Sequence, residues 1–183
     1  ASIKAARRLE ARLTARKARF LSAQGDDQAA LQAWEAASQL DPSSAALVGQ
    51  TAMALLDASR TADAQNVLAS AQGPAALIHI ARARLAFLRD YEEQALSETR
   101  QSLELLEAGD TECEPAPPPH TLPAAHLAGL LMQLNQPSQA ARAAQIAASQ
   151  APNDADIYAL LARAQWASGD WEGAVVSSQI STC

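Results

Sequence analysis

Three arginines near the start of the chain, Arg12, Arg16 and Arg19, follow one another at helical spacing. Residues three and four positions apart share one face of an α-helix, so these three guanidinium groups are expected to lie along one stripe. A guanidinium group can donate paired hydrogen bonds to a carboxylate or a phosphate. The pattern therefore predicts a docking surface for an acidic peptide segment, and the alternative is a solvated basic face.

The charge of the chain is distributed unevenly. The net charge is −6, yet residues 1–19 carry seven basic side chains against the single acid Glu10. Such a basic helix could bind nucleic acid or an anionic membrane surface. Binding of nucleic acid is disfavoured because the rest of the chain is acidic and no aromatic side chains accompany the arginines. Binding to a membrane surface is disfavoured because the apolar face of this helix is expected to pack on the first helix pair.

No apolar run approaches the length of about 18 residues that a membrane-spanning helix needs, and the N-terminal residues lack the apolar region of a signal peptide. We therefore expect this stretch to be soluble. A cytoplasmic location is preferred, a periplasmic one stays open, and the sequence does not decide the compartment.

The sequence contains none of the residue patterns typical of an active site. It has no phosphate-binding glycine loop, no HExxH zinc motif and no GxSxG nucleophile turn. Cys113, His120 and His126 form the one cluster considered as a metal site, but their spacing fits no zinc pattern. Cys113 and Cys183 form no CxxC motif or disulfide framework. We predict a non-enzymatic protein without metal or cofactor.

The chemistry-bearing residues need helices to position them, and the composition favours helices. About a quarter of the residues are alanine and only 4% are aromatic, which disfavours β-sheet. Similar local patterns also recur at intervals of 34 residues, which is typical of a helical repeat array. The repeated small residues are Ala30, Ala64, Ala140 and Ala174.

Helical periodicity and its interruptions predict ten helices. Ser43 or Ser44 is expected to cap the third, and Pro123 to lie in the first turn of the seventh. Residues 109–120, acidic and then proline-rich, are predicted to form a loop that is either a partner-binding or flexing segment or a tolerated insertion. The predicted ranges are residues 2–24, 27–40, 45–58, 61–72, 75–89, 91–108, 122–134, 138–150, 155–168 and 171 onward.

With these residues in place, the chain resembles the tetratricopeptide repeat family over nearly everything after about residue 11. That family places small residues where its two helices cross, a turn between them and a proline after the second helix. Ser59 departs from the pattern because it replaces the turn glycine, and the turn of the third unit is predicted to be longer by one residue. The matching small residues are Ala18, Ala128 and Ala162 in first helices and Ala30, Ala140 and Ala174 in second helices.

The resemblance implies an all-α, right-handed α-α superhelix of about five helix-turn-helix units. A basic helix over residues 1–24 runs into the first repeat, residues 11–108 form repeats one to three, and residues 121–183 form repeats four and five, the last apparently incomplete. The concave face of such an array is built from its first helices, and binding is the expected use of that face. The concave positions would be Arg12, Arg16, Arg19, Gln50, Met53, His79, Phe87, His126, Met132, Asp156, Arg163 and Trp166.

The three tryptophans receive different predictions. Trp34 and Trp171 are expected to fill the space between helices, whereas Trp166 on the concave face is expected to anchor a ligand. The predicted function is that of a protein-interaction scaffold, adaptor or chaperone-like module that binds a protein or peptide partner. One alternative is the recruitment region of a larger enzyme, such as a transferase. Another is an assembly subunit that forms homo-oligomers through its terminal repeat.

Overall fold

The computed structural model describes residues 2–109 and 122–181 of the 183-residue chain. Within these two ranges the chain forms ten α-helices and no β-strand. The predicted loop, apart from Gly109, and the residues Cys113, His120 and Cys183 lie outside them. The helices are α1 Ser2–Ala23, α2 Asp27–Leu40, α3 Ala45–Asp57, α4 Thr61–Ala69, α5 Ala76–Phe87, α6 Glu92–Glu107, α7 Pro123–Gln133, α8 Pro137–Gln150, α9 Ala155–Ser168 and α10 Trp171–Ser181.

The helices divide into two compact units, with the boundary between Leu85 and Ala86. In the first unit, α1 packs on α2, α2 packs on α3 and α3 packs on α4. In the second unit, α6 packs on α7 and α8, and α7 to α10 pack in succession. Within each unit, helices therefore pack mainly on their neighbours in the sequence.

The same turn joins the two helices of every pair. Its central residue has a left-handed backbone conformation and donates its N–H to the carbonyl three residues earlier, while the next residue donates to the carbonyl five residues earlier. This pair of hydrogen bonds defines the Schellman motif, which satisfies carbonyl groups at the end of a helix. The five left-handed residues are Gly25, Ser59, Asp90, Asn135 and Gly169.

The prediction of a longer turn in the third unit is wrong. Asp90 has the same hydrogen-bond pattern as Ser59, and Ala95 follows Asp90 by the interval that separates Ala64 from Ser59. The irregularity lies one helix earlier, because α4 was expected to reach residue 72 and ends at Ala69. Gly73, with a left-handed φ of +79°, and then Pro74 follow soon after the end of α4. The second repeat is therefore shorter, and the third has an ordinary turn.

Alanines occupy the positions where paired helices approach most closely. Ala18, Ala52, Ala83 and Ala128 each lie seven residues before the left-handed residue of their turn, and each is fully buried. The equivalent Ala162 is half-buried. A methyl side chain allows two helix backbones to approach closely, and this is the physical reason that the repeat needs a small residue here. Ala52 and Ala83 show that the second and third repeats keep this feature.

Helix caps lie where the sequence places them. Asp26, Ser44 and Asp154 each accept a hydrogen bond from a backbone N–H of the helix that follows, at 3.2, 3.4 and 3.0 Å. Of the two predicted candidates for the cap of α3, the structure selects Ser44, and α7 begins at Pro123 as predicted.

Helix α1 packs on its partner through alanines and exposes larger apolar residues. Its buried residues are Ala11, Ala15 and Ala18, whereas Leu13 and Phe20 are 55% and 63% exposed. The expectation that the apolar face of α1 packs on the first pair therefore holds for its alanines and is wrong for Leu13. The short alanine side chains are buried because they allow α1 to lie close against α2, and the longer side chains are turned to solvent.

Candidate binding surfaces

The basic face of α1 is the first candidate surface. Arg12 and Arg16 are exposed, as is Lys17, while Arg19 is half-buried. The guanidinium carbon of Arg19 lies 5.8 Å from the ring centroid of Trp34, which is itself buried at 6% exposure. This cation–π distance restricts the orientation of Arg19. The prediction that Trp34 packs between helices is confirmed.

Apolar side chains run alongside these cations. Leu9, Leu13 and Phe20 are all more than half exposed, and their spacing of four and then seven residues places them on one side of α1. Arg16 falls on the same side, between Leu13 and Phe20. We call these four residues and Arg12 the α1 face. The apolar part of the α1 face was missed from the sequence because the apolar face of this helix was expected to pack on the first helix pair.

The other predicted residues of the first unit differ in what they offer a ligand. Gln50 is half-buried, whereas Met53 and His79 are buried, at 5% and 8% exposure. Met53 and His79 therefore present little surface, and we do not count them in the candidate site. Both residues lie within predicted helices, and both are buried there.

In the second unit, the predicted residues fall into a half-buried set and an exposed set. Phe87, His126 and Met132 are half-buried, and Asp156 and Arg163 are exposed. Trp166, the predicted anchor, is 60% exposed. The second unit therefore places a large apolar side chain at the surface, as the prediction requires.

Trp171 lies against Trp166 at the start of α10. The ring centroids are 4.3 Å apart and the ring planes meet at 83°, which is an edge-to-face contact. Trp171 is nevertheless 54% exposed, so the prediction that it fills the space between helices is wrong. It occupies the second position after the left-handed turn residue, where Asp27 in the first repeat and Glu92 in the third are also exposed. Polar residues at the equivalent position of those two repeats could have indicated from the sequence that Trp171 is exposed.

The helix pair α9–α10 holds the two rings in place. The hydroxyl of Ser177 is buried and donates to Oε1 of Gln165 at 2.8 Å, which ties α10 to α9. Asp170 accepts a hydrogen bond from the N–H of Gly173 at 3.0 Å. A Cβ atom at Gly173 would lie 2.2 Å from Oδ2 of Asp170, so a larger residue there would displace that carboxylate. We call Trp166, Trp171, Asp170 and Glu172 the tryptophan corner.

Within residues 2–109 and 122–181, no group of three or more histidine, cysteine, aspartate or glutamate side chains is placed to hold a metal ion. In the same residues, none of the helices combines the length and the apolar character that crossing a bilayer requires.

Comparison with solved structures gives the fold its context. Crystal structures of the MamA protein match 93% of this chain and 89% of their own, at 14% identity and a TM-score of 0.51. PilF of Pseudomonas aeruginosa matches 96% of this chain and 77% of its own, at 14% identity and a TM-score of 0.59. In the hetero-tetramer Cut9–Hcn1 of the APC/C, the match covers 90% of this chain but 31% of the other, at 17% identity and a TM-score of 0.61.

These solved structures are tetratricopeptide repeat proteins, and the chain has their fold. The predicted fold class, an all-α array of tetratricopeptide-like helix pairs, is confirmed. By sequence, no family model matches the chain, and no curated protein matches it. The likeness to these solved structures therefore lies in the fold.

Proposed function

We propose that the chain is a non-catalytic protein-interaction scaffold that binds an acidic, partly apolar segment of a partner protein on the α1 face. The observation that carries the proposal is the exposure of Arg12 and Arg16 beside Leu13 and Phe20 on one helix. The fold supports it, because stacked helix pairs present extended binding surfaces. The similar structure in the Cut9–Hcn1 hetero-tetramer also fits a fold that assembles with other proteins.

The chemistry of the α1 face defines the partner. Each exposed ion pair contributes at most about 1 kcal/mol, so arginines alone give a weak, salt-sensitive interaction. Burying exposed apolar surface adds about 25 cal/mol per Å², and Leu9, Leu13 and Phe20 supply that surface. A suitable ligand therefore combines carboxylates with apolar side chains. A purely acidic segment would bind weakly, and a purely apolar one would lack the orientation that the arginines provide.

Arg19 contributes through its restricted position. Since its guanidinium group already lies near the ring of Trp34, it loses less side-chain freedom on binding than a fully exposed arginine would. It can thus fix the register of a carboxylate that contacts the α1 face. Its planar group can form two hydrogen bonds to that carboxylate, which a lysine could not reproduce.

A binding measurement with the whole chain tests the proposal. The probe is a fluorescein-labelled synthetic peptide of alternating glutamate and leucine residues, followed by fluorescence anisotropy. Arg12→Glu combined with Arg16→Glu is expected to weaken binding roughly tenfold or more, because two attractions become repulsions. A peptide in which glutamine replaces every glutamate is expected to bind weakly to the original chain.

A matched control separates the α1 face from the overall charge. Lys4→Glu combined with Arg7→Glu changes the net charge equally, but Lys4 and Arg7 share the side of α1 that Ala11 and Ala15 occupy. This control is expected to keep most of the affinity. Circular dichroism must show equal helix content in both variants. Equal affinity of the original chain and the α1-face variant would overturn the proposal.

A further inference from the structure

We infer that the tryptophan corner is a second binding surface and that its occupant is the α1 face of another copy of this chain. The inference rests on the proposed function, because it identifies one acidic partner of the α1 face as the α9–α10 pair of a second copy. The association would be head to tail, since each copy offers two different surfaces.

The apolar content of the corner is the first argument. Trp166 and Trp171 are 60% and 54% exposed, and Val175, one helical turn after Trp171, is 52% exposed. Exposed tryptophans are rare on monomer surfaces and common among the residues that dominate the binding energy of protein interfaces. The polar tie between Ser177 and Gln165 holds the two helices that carry the rings. A partner would therefore bind a preformed surface, and the entropic cost of ordering that surface would be small.

The charge of the corner is the second argument. Asp170 and Glu172 flank Trp171 in the sequence, whereas Asp154 and Asp156 add negative charge at the other end of α9, about 15 Å from Trp166 at 1.5 Å per residue. Between residues 152 and 181, the single cation Arg163 stands against these four acids. An aromatic ring with nearby carboxylates attracts a guanidinium or ammonium group through both its π face and its charge. The ligand that fits best is therefore cationic and partly apolar.

The α1 face has that chemistry. Arg12 and Arg16 are exposed beside Leu13 and Phe20, and residues 1–19 carry seven of the 14 lysines and arginines of the chain. The chain already uses the same contact internally, where Arg19 lies over Trp34. Opposite charge and exposed apolar side chains on both surfaces make a second copy the occupant that the observations favour.

The geometry of such an association predicts its stoichiometry. When two copies associate through different surfaces, the resulting dimer still has one unoccupied surface of each kind. Further copies can therefore add, and the product is either a closed ring or an open filament. Assembly should therefore grow with protein concentration. It should also weaken as salt rises from about 0.05 to about 0.5 M, because the Debye length falls severalfold over that range.

The decisive experiment mixes two variants of the whole chain in sedimentation velocity. One variant combines Trp166→Ala with Trp171→Ala and keeps the α1 face, and the other combines Arg12→Glu with Arg16→Glu and keeps the tryptophan corner. Each variant alone is expected to remain monomeric at concentrations where the original chain forms larger species. An equimolar mixture is expected to form a heterodimer and nothing larger, because one intact surface of each kind remains.

Control variants keep the outcome interpretable. Lys4→Glu combined with Arg7→Glu should still assemble, and Trp171→Phe should assemble more strongly than Trp171→Ala because it keeps an aromatic face. Equal helix content by circular dichroism excludes unfolding as the cause of a lost association. A monomeric original chain at up to about 1 mM, the range of very weak association, would overturn the inference. So would a mixture that stays monomeric, or single variants that assemble as well as the original chain.

The binding and sedimentation experiments distinguish a wrong head-to-tail inference from a wrong proposed function. If the original chain binds the glutamate–leucine peptide through the α1 face but never self-associates, only the head-to-tail inference is wrong. If the chain self-associates through both surfaces but does not prefer the glutamate peptide to its glutamine counterpart, the acidic specificity of the proposed function is wrong.

Discussion

The helix pairs α1–α2 and α9–α10 share one backbone plan and present opposite chemistry to solvent. Both have a glycine in the left-handed turn, Gly25 or Gly169, and an alanine five residues later that is at most 5% exposed. Outside these positions, α1 exposes arginines with aliphatic residues and one phenylalanine, whereas α9–α10 exposes two tryptophans with carboxylates. The inward positions therefore set the fold, and the outward ones are free to set what is bound.

The two pairs also differ in how their tryptophans are used. Trp34 is buried between helices and supports Arg19, while Trp171 lies on the surface against Trp166. The same residue type thus stabilises one pair and supplies exposed apolar surface on the other. Variants that compare equivalent residues of the two pairs can test this difference.

The largest effect on stability is expected when Trp34 and Trp171 are each replaced by alanine and compared. Trp34→Ala should lower the free energy of unfolding by about 4 kcal/mol, because it removes a large buried side chain and leaves a cavity. Trp171→Ala should cost about 1 kcal/mol or less, since more than half of its surface is already in water. Urea titration followed by circular dichroism measures both. Equal losses would show that Trp171 has a structural role comparable to that of Trp34.

The second expected effect concerns the alanines where the helices cross. Ala18→Leu should destabilise the chain by about 3 kcal/mol, because a fully buried methyl position cannot accept three more carbons without separating the helices. The equivalent Ala162→Leu should cost about 1 kcal/mol, since that site is half-buried. The exposed Ala36→Leu in α2 is the control and should be nearly neutral in thermal unfolding.

The third effect sharpens the account of what holds α10 in place. Ser177→Ala should lower stability by about 1–2 kcal/mol, because it leaves the oxygen of Gln165 without its hydroxyl donor in a partly buried setting. Amide hydrogen exchange should become faster in α10 and stay unchanged in α2. The exposed Ser178→Ala, whose hydroxyl contacts only its own helix, serves as the comparison. Unchanged exchange in α10 would mean that apolar contacts alone hold the pair.

The smallest effect extends the comparison to a turn that lacks glycine. Ser59 holds a φ of +60°, which costs energy for a residue with a Cβ atom. Ser59→Gly should therefore raise the free energy of unfolding by about 1 kcal/mol or slightly less. Asn135→Gly should gain less, because asparagine tolerates this conformation. The opposite change Gly25→Ala should lose a similar amount in the same denaturation assay, and a loss on Ser59→Gly would contradict the account.

Most of the fold could be predicted because its signals are local. Asp26, Ser44 and Asp154 cap helices within the next three residues, and periodic alanines mark the crossing points. The error in the third repeat arose because its departure was assigned to the turn, when the residues around Asp90 keep the usual hydrogen bonds and α4 is short instead. Whether a turn is regular follows from backbone hydrogen bonds that the sequence pattern only suggests.

The candidate surfaces could be predicted less well. Trp166 was placed at the surface correctly, but Met53 and His79 are buried, and Trp171 is not. Periodicity assigns a residue to one side of its own helix. Exposure depends also on which other helix covers that side and how closely it approaches, and this involves residues far away in the chain.

The sequence by itself determined the helices, their caps, the positions of close helix approach and the uneven charge, because each depends on residues within one or two helical turns. The tertiary structure alone decided that α1 turns Leu13 and Phe20 outward, and that two tryptophans meet at the surface of α9–α10. The physical reason is that burial results from packing between helices, and the smallest side chains allow the closest packing.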